Sequence, residues 1–93
     1  MLFNDLPPSI MIVDDTPANL KLLDDLLRSC GYHVSAFPRG EMAYKAAQKN
    51  PPDLFLLDIN MPDISGFQLC QKIKSHTELI DIPVIFLSAL KNN

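Results

Sequence analysis

The stretch Asp53-Leu54-Phe55-Leu56-Leu57-Asp58 decides the fold. Its four consecutive large apolar residues leave no polar face, so a strand built from them is buried on both sides. Asn50-Pro51-Pro52 ends whatever precedes it, because a residue ahead of proline is pushed out of the α region. The run stops at a carboxylate, Asp58. Upstream, Ile10–Val13 is a run of the same kind and stops at Asp14-Asp15; downstream, Pro83–Leu87 repeats it, again apolar on both faces, and stops at Ser88. His33–Phe37 is a further strand candidate, broken by Pro38-Arg39-Gly40.

Helical patterns fill the gaps. Thr16 suits an N-cap and Pro17 the first helical position. Leu20, Leu23, Leu27 and Cys30 then recur at spacings of 3, 4 and 3, with Leu22 and Leu26 widening the stripe, until Gly31 ends the helix. Glu41–Lys49 sets Met42, Ala43, Ala46 and Ala47 on one side. Asn60-Met61-Pro62-Asp63 is a loop, and Ser65-Gly66 opens a third helix with Phe67, Cys70 and Ile73 inward. Ser75–Asp81 is a connection. Alternation of helices with doubly buried strands predicts an α/β domain with a parallel sheet and right-handed crossovers. The 93 residues suffice for one domain, spanning 1–93.

Composition narrows the function. At 47% hydrophobic and 20% charged the chain is globular, not disordered. The net charge of −3 comes with no Lys/Arg cluster, which argues against nucleic acid or a membrane surface as partner. Cys30 and Cys70 make no disulfide scaffold and read as small core hydrophobes. No apolar run reaches the roughly 18 residues of a membrane span. No basic flank precedes an apolar stretch at the start, so no signal peptide is expected. The expectation is a cytoplasmic protein.

In parallel sheets the functional site lies outside the carboxyl ends of the strands. A lone carboxylate there is often just a cap for the next helix. Asp14, Asp15 and Asp58 on one edge are different: three converging carboxylates repel unless protons or a cation are bound. A hard divalent ion with oxygen ligands fits, Mg²⁺ in particular, with room for a phosphate oxygen. Such an ion makes a carboxylate a competent nucleophile toward a phosphoryl group, and aspartyl phosphates are known covalent intermediates. Asp58, single and followed by a loop, is the nucleophile candidate. Asp14 and Asp15 are metal anchors, and Ser88 offers a hydroxyl to a phosphoryl oxygen. His33 and His76 lack Cys or His neighbours at zinc spacing and read as non-ligands. Met11 and Met42 read as core fillers, Met61 as a loop residue.

Ile-Val-Asp-Asp-Thr-Pro (12–17), Leu-Leu-Asp-Ile-Asn-Met-Pro (56–62) with Gly66, and Ile-Pro-Val-Ile-Phe-Leu-Ser-Ala (82–89) together resemble the receiver domain of two-component response regulators. The resemblance covers nearly the whole chain, and the order of the three blocks is far more specific than any one block. It implies a flavodoxin-like (CheY-like) doubly wound parallel sheet with strand order 2-1-3-4 and three helices. It implies that Asp58 accepts a phosphoryl group from a sensor histidine kinase or phosphotransfer protein. It makes Asp15 the main ligand of Mg²⁺ or Mn²⁺, assisted by Asp14, with Asp58 and the backbone carbonyl of Asn60 completing the protein ligands. Ser88 takes the place of the switch Ser/Thr.

The family pattern continues past the fourth strand with a helix, a fifth strand bearing a switch aromatic, a lysine followed by proline, and a last helix. Lys91, three residues after Ser88, is too close to be that lysine. The sequence therefore reads as a C-terminally truncated receiver. One helix about 10 Å wide then covers one face of a sheet roughly 15–20 Å across. The fourth strand is left as an apolar edge, which predicts a homodimer through Val84, Ile85, Phe86 and Leu87. Two other readings compete. An Mg-dependent phosphohydrolase with an aspartate nucleophile commonly places two Asp two apart on its first strand, and the tandem Asp14-Asp15 lacks that spacing. An interaction module that no longer switches keeps the fold without the chemistry. The favoured reading is a phospho-accepting signalling domain, not an enzyme.

Overall fold

The computed structural model describes residues 6–87. Its elements, in chain order, are β1 (Ser9–Val13), α1 (Pro17–Ser29), β2 (His33–Phe37), α2 (Gly40–Lys49), β3 (Leu54–Leu57), α3 (Gly66–Lys74) and β4 (Val84–Phe86). The strands form one sheet in the order β2-β1-β3-β4. Every pairing is parallel, with Val13 opposite both Phe37 and Leu57, and Leu57 opposite Phe86. The expected α/β class and strand order 2-1-3-4 hold.

Alternation along each strand sorts the core into two layers. Met11, Val13, Phe55 and Leu57 face α2 and α3, where they meet Ala43, Ala47, Leu69, Ile73 and Leu79. Ile10, Ile12, Val34 and Leu56 face the other way, against Leu20, Leu23 and Leu27 of α1. All nine residues of the first layer are at most 2% exposed, whereas α1 has no buried residue.

Several expected core positions lie outside. Leu22 and Leu26 do not widen the α1 stripe; they are 64% and 54% exposed. At about 100° per residue they fall roughly 90–130° from the centre of the Leu20/Leu23/Leu27 stripe. Cys30 is the C-cap of α1 and exposed, and Cys70 is half-buried. Met42 is exposed because Ala43 and Ala47, one turn apart, take the inner face of α2. Phe67 is also largely exposed, although its ring lies 5.0 Å from that of Phe86. Conversely, Leu79 in the Ser75–Asp81 connection is fully buried. Of the β4 side chains, Ile85 is 51% exposed, so this strand is not buried on both faces.

The helix ends follow sequence chemistry. Ser65 and Gln68 form a reciprocal capping box at the start of α3. Thr16 occupies the N-cap of α1 with Pro17 at N1, but its side chain makes no cap bond. Gly31, at φ +95°, closes α1: its N–H donates to Arg28 O and that of Tyr32 to Leu27 O, a Schellman arrangement. No helix among the described residues is long and apolar enough to cross a membrane.

Candidate functional site

The Val13–Leu57 rung builds the site. It is the last pair between β1 and β3, so the residues after it, Asp14 and Asp58, emerge side by side at the carboxyl edge. The chain stays tied there: Asp58 N–H donates to Val13 O at 2.7 Å, and Asp14 N–H to Phe37 O at 3.1 Å. One carboxylate oxygen from each of Asp14, Asp15 and Asp58 lies within 4.8 Å of the others. Asp14 and Asp58 are buried to within 1% and Asp15 is exposed, so the cluster has a closed floor and an open rim.

The floor is oriented by hydrogen bonds. Asp14 Oδ1 accepts Thr16 N–H at 2.8 Å, and Asp14 Oδ2 accepts the Asn19 amide at 3.4 Å. Asp58 Oδ1 accepts Asn60 N–H at 3.3 Å. Carboxylates are costly to bury without partners, and these bonds offset part of that cost. A cluster of three hard oxygen donors at this spacing suits a small divalent cation. The structure thus brings Asp14, Asp15 and Asp58 together as expected and places Asn60 on the loop directly after Asp58. Ser88 and Lys91 lie outside the described residues.

The loop from Asn60 to Ser65 is held at both ends. Gly66 N–H donates to Ile59 O at 2.7 Å. A Cβ on Gly66 would overlap the carbonyl oxygen of Asp58 and crowd Ile59 Cα, so only glycine lets α3 start this close to the end of β3. On the outer side, Asp63 Oδ1 and Oδ2 accept the N–H groups of Gly40 and Glu41 at 3.2 and 3.0 Å. Partial desolvation pushes the Asp63 carboxyl up. The amides of Glu41, Gly40, Asp63 itself and Ile64 outweigh it and hold the group below its ordinary value.

Sequence reasoning missed two of these contributors. Asn19 lies in the first turn of α1, five residues after Asp14, where an amide side chain can reach back; that signal was present. Asp63 caps a helix 23 residues earlier in the chain, and no local pattern announces such a contact.

Comparison with known proteins agrees with this geometry. The family described as "Response regulator receiver domain" matches residues 10–93. The polar-differentiation response regulator DivK of Brucella anthropi is 39% identical over 84 residues, covering 90% of this chain and 68% of that protein. Protein RcaC of Microchaete diplosiphon is 37% identical over 92% of this chain, which spans only 13% of RcaC. Among solved structures, the N-terminal domain of a response regulator receiver protein from Methanoculleus marisnigri superposes with a TM-score of 0.85 at 34% identity, covering 92% of this chain and 70% of that one. The receiver domain of a Pseudomonas aeruginosa sensor histidine kinase, solved with a magnesium ion coordinated in its active-site cleft, also gives 0.85, at 29% identity over 89% of this chain and 68% of that one. With a family match over nearly the whole chain, the acidic edge of the sheet and these relatives together, the chain belongs to the response regulator receiver domain family.

Proposed function

We propose that this chain is the phospho-accepting part of a phosphorelay, with Asp58 as the acceptor. The observation that carries the reading is the convergence of Asp14, Asp15 and Asp58 within 4.8 Å at the end of the paired central strands. A carboxylate oxygen of Asp58 attacks the phosphorus of a phosphohistidine on a sensor kinase or phosphotransfer protein. The new P–O bond forms as the P–N bond breaks, and the imidazole leaves. Asn60 N–H holds Asp58 Oδ1 and fixes the carboxylate plane. Ser88 donates its hydroxyl to a phosphoryl oxygen.

Mg²⁺ or Mn²⁺ is the resident cation, held by Asp15, Asp14, Asp58 and the carbonyl of Asn60. When bound, it neutralises charge on the attacking carboxylate and on the incoming phosphoryl oxygens. Asp15, exposed at the rim, is the ligand least constrained by burial. Asp15→Ala therefore removes Mg²⁺ binding in a titration, and undiminished binding refutes the ligand assignment.

The test of acceptor chemistry is incubation with a small phosphodonor and Mg²⁺, read by mass spectrometry. A single phosphoryl increment, absent in Asp58→Asn and formed without continued turnover, is expected. An adduct that persists in Asp58→Asn identifies another acceptor, and sustained release of phosphate favours a phosphohydrolase. We place this activity in the cytoplasm, where the thiols Cys30 and Cys70 stay reduced.

Self-association through the β4 edge is also proposed. Among the described residues β4 pairs only with β3, and Ile85 offers an apolar side chain at that edge. Beside it, an open groove of about 470 Å³ is lined by Ile10, Leu27, Leu54, Leu56 and Pro83. Light scattering across a concentration range is expected to show a dimer that Ile85→Lys weakens; a monomer at high micromolar concentration refutes it.

A further inference from the structure

We propose that Asp63 is a positioning residue for the acidic site: by clamping the Asn60–Ser65 loop to the start of α2, it sets the backbone that follows Asp58. The inference rests on the reading of Asp58 and Asn60 given above. Asp63 is three residues beyond Asn60, and its carboxylate is engaged by the Gly40 and Glu41 amides; it acts on the site through the chain between them.

The start of α2 is built to receive this loop. Arg39 occupies the N-cap and makes no side-chain cap bond. The carboxylate of Glu41, in the first turn, is turned away to Lys72 Nζ at 2.8 and 3.0 Å. The first two amides of α2 instead donate to Asp63, at 3.2 and 3.0 Å. Neighbouring loop residues seat on the same spot. A Cβ on Gly40 would collide with Ile64 Cγ2 and would lie 3.6 Å from Met61 Cε. Met61, Asp63 and Ile64 therefore all rest on one helix end, and the glycine there makes room for them. At the other end the loop is pinned by Asn60 N–H on Asp58 Oδ1 and by Gly66 N–H on Ile59 O. Such a segment has little freedom while both anchors hold. Removing the Asp63 carboxylate frees the outer anchor and lets the carbonyl of Asn60 wander, which a cation requiring fixed oxygen geometry registers as lost affinity.

A loss of affinity alone would also follow if Asp63 merely stabilised α2. The two roles are separated by giving α2 a cap of its own. Arg39→Ser places a strong N-cap residue at a position with no cap bond and leaves the sequence of the loop unchanged. Mg²⁺ titration and thermal melting are measured for the wild-type 93-residue chain, Arg39→Ser, Asp63→Ala and the Asp63→Ala/Arg39→Ser pair. Amide hydrogen exchange at Gly40 and Glu41 is followed in parallel. Asp63→Ala is expected to weaken Mg²⁺ binding about tenfold, the lower end for residues that orient ligands without touching the ion. In the double variant the melting temperature and the protection of the α2 amides recover, while the tenfold loss remains. Recovery of Mg²⁺ affinity along with stability overturns the positioning role, as does wild-type affinity in folded Asp63→Ala. Should the alanine variants not fold, Asp63→Asn, which keeps one acceptor oxygen, carries the same comparison: a loss of affinity that Arg39→Ser does not restore supports the role, and wild-type affinity overturns it. A wild-type chain that binds no Mg²⁺ removes the functional reading itself and this inference with it.

Discussion

The two faces of the sheet are covered to different degrees. On one, α2 and α3 press short and medium side chains onto Met11, Val13, Phe55 and Leu57 and leave them at most 2% exposed. On the other, α1 is the one helix among the described residues, and Leu20, Leu23 and Leu27 are only half-buried. Both faces come from the same strands and are equally apolar in sequence. The difference lies in the number of helices available per strand, and burial follows from that count more than from hydrophobicity. The site sits at the edge where both layers meet. Asp58 is anchored on the close-packed side through Gly66, and Asp14 is oriented from the looser side through Asn19.

Mutations test this asymmetry. Phe55→Ala empties the centre of the closed layer and is expected to cost about 3–5 kcal/mol in a denaturant titration. Against a typical total of about 5–15 kcal/mol, that leaves little. Gly66→Ala forces α3 away from the Asp58 carbonyl, and about 1–3 kcal/mol is expected, with the Ser65–Gln68 cap still formed. Leu23→Ala on the open face should cost only about 1 kcal/mol, because the residue already touches water in the folded state. A Leu23→Ala loss equal to that of Phe55→Ala would mean that the faces are packed alike. Leu26→Lys, on the solvent side of α1, is expected to change stability by less than about 0.5 kcal/mol.

The smallest effect is confined to acid. Asp63 has a folded pKa below its unfolded one, so its contribution is complete above the unfolded value and disappears as pH falls through the folded one. The α3 cap, built from Ser65 and Gln68, has no such titration. Exchange at the Gly40 and Glu41 amides should therefore rise relative to that at the Gln68 amide below about pH 4, and Asp63→Asn should abolish the difference.

Strand positions were legible because short apolar runs bounded by proline, glycine or carboxylates mark them: β2 falls on the residues expected, and the other strands differ by at most one residue at either end. The acidic cluster was legible for the same reason, since runs that end in carboxylates and pair in parallel must deliver them to one edge. The faces of the helices were less legible. Leu22 and Leu26 carry the same hydrophobicity as Leu23 and Leu27, and only the rotation of α1 about its own axis as it seats on the sheet decides which of them meets the sheet. Leu79 escaped because a turn has no period from which burial can be read. The Asp63 clamp escaped because it joins a loop to a helix through space.

The rung Val13–Leu57 also has a thermodynamic consequence. Asp14 and Asp58 are 44 residues apart and become neighbours only when β1 and β3 are paired. A site of this kind cannot survive partial opening of the sheet, so it has no affinity to offer the unfolded chain. Any ligand that spans it then reports on the whole fold: at ten times its Kd it adds about 1.4 kcal/mol to global stability. Occupancy of the acidic edge and integrity of the central strands are thus a single equilibrium viewed from two ends, and a weak ligand is enough to strengthen strands it never touches.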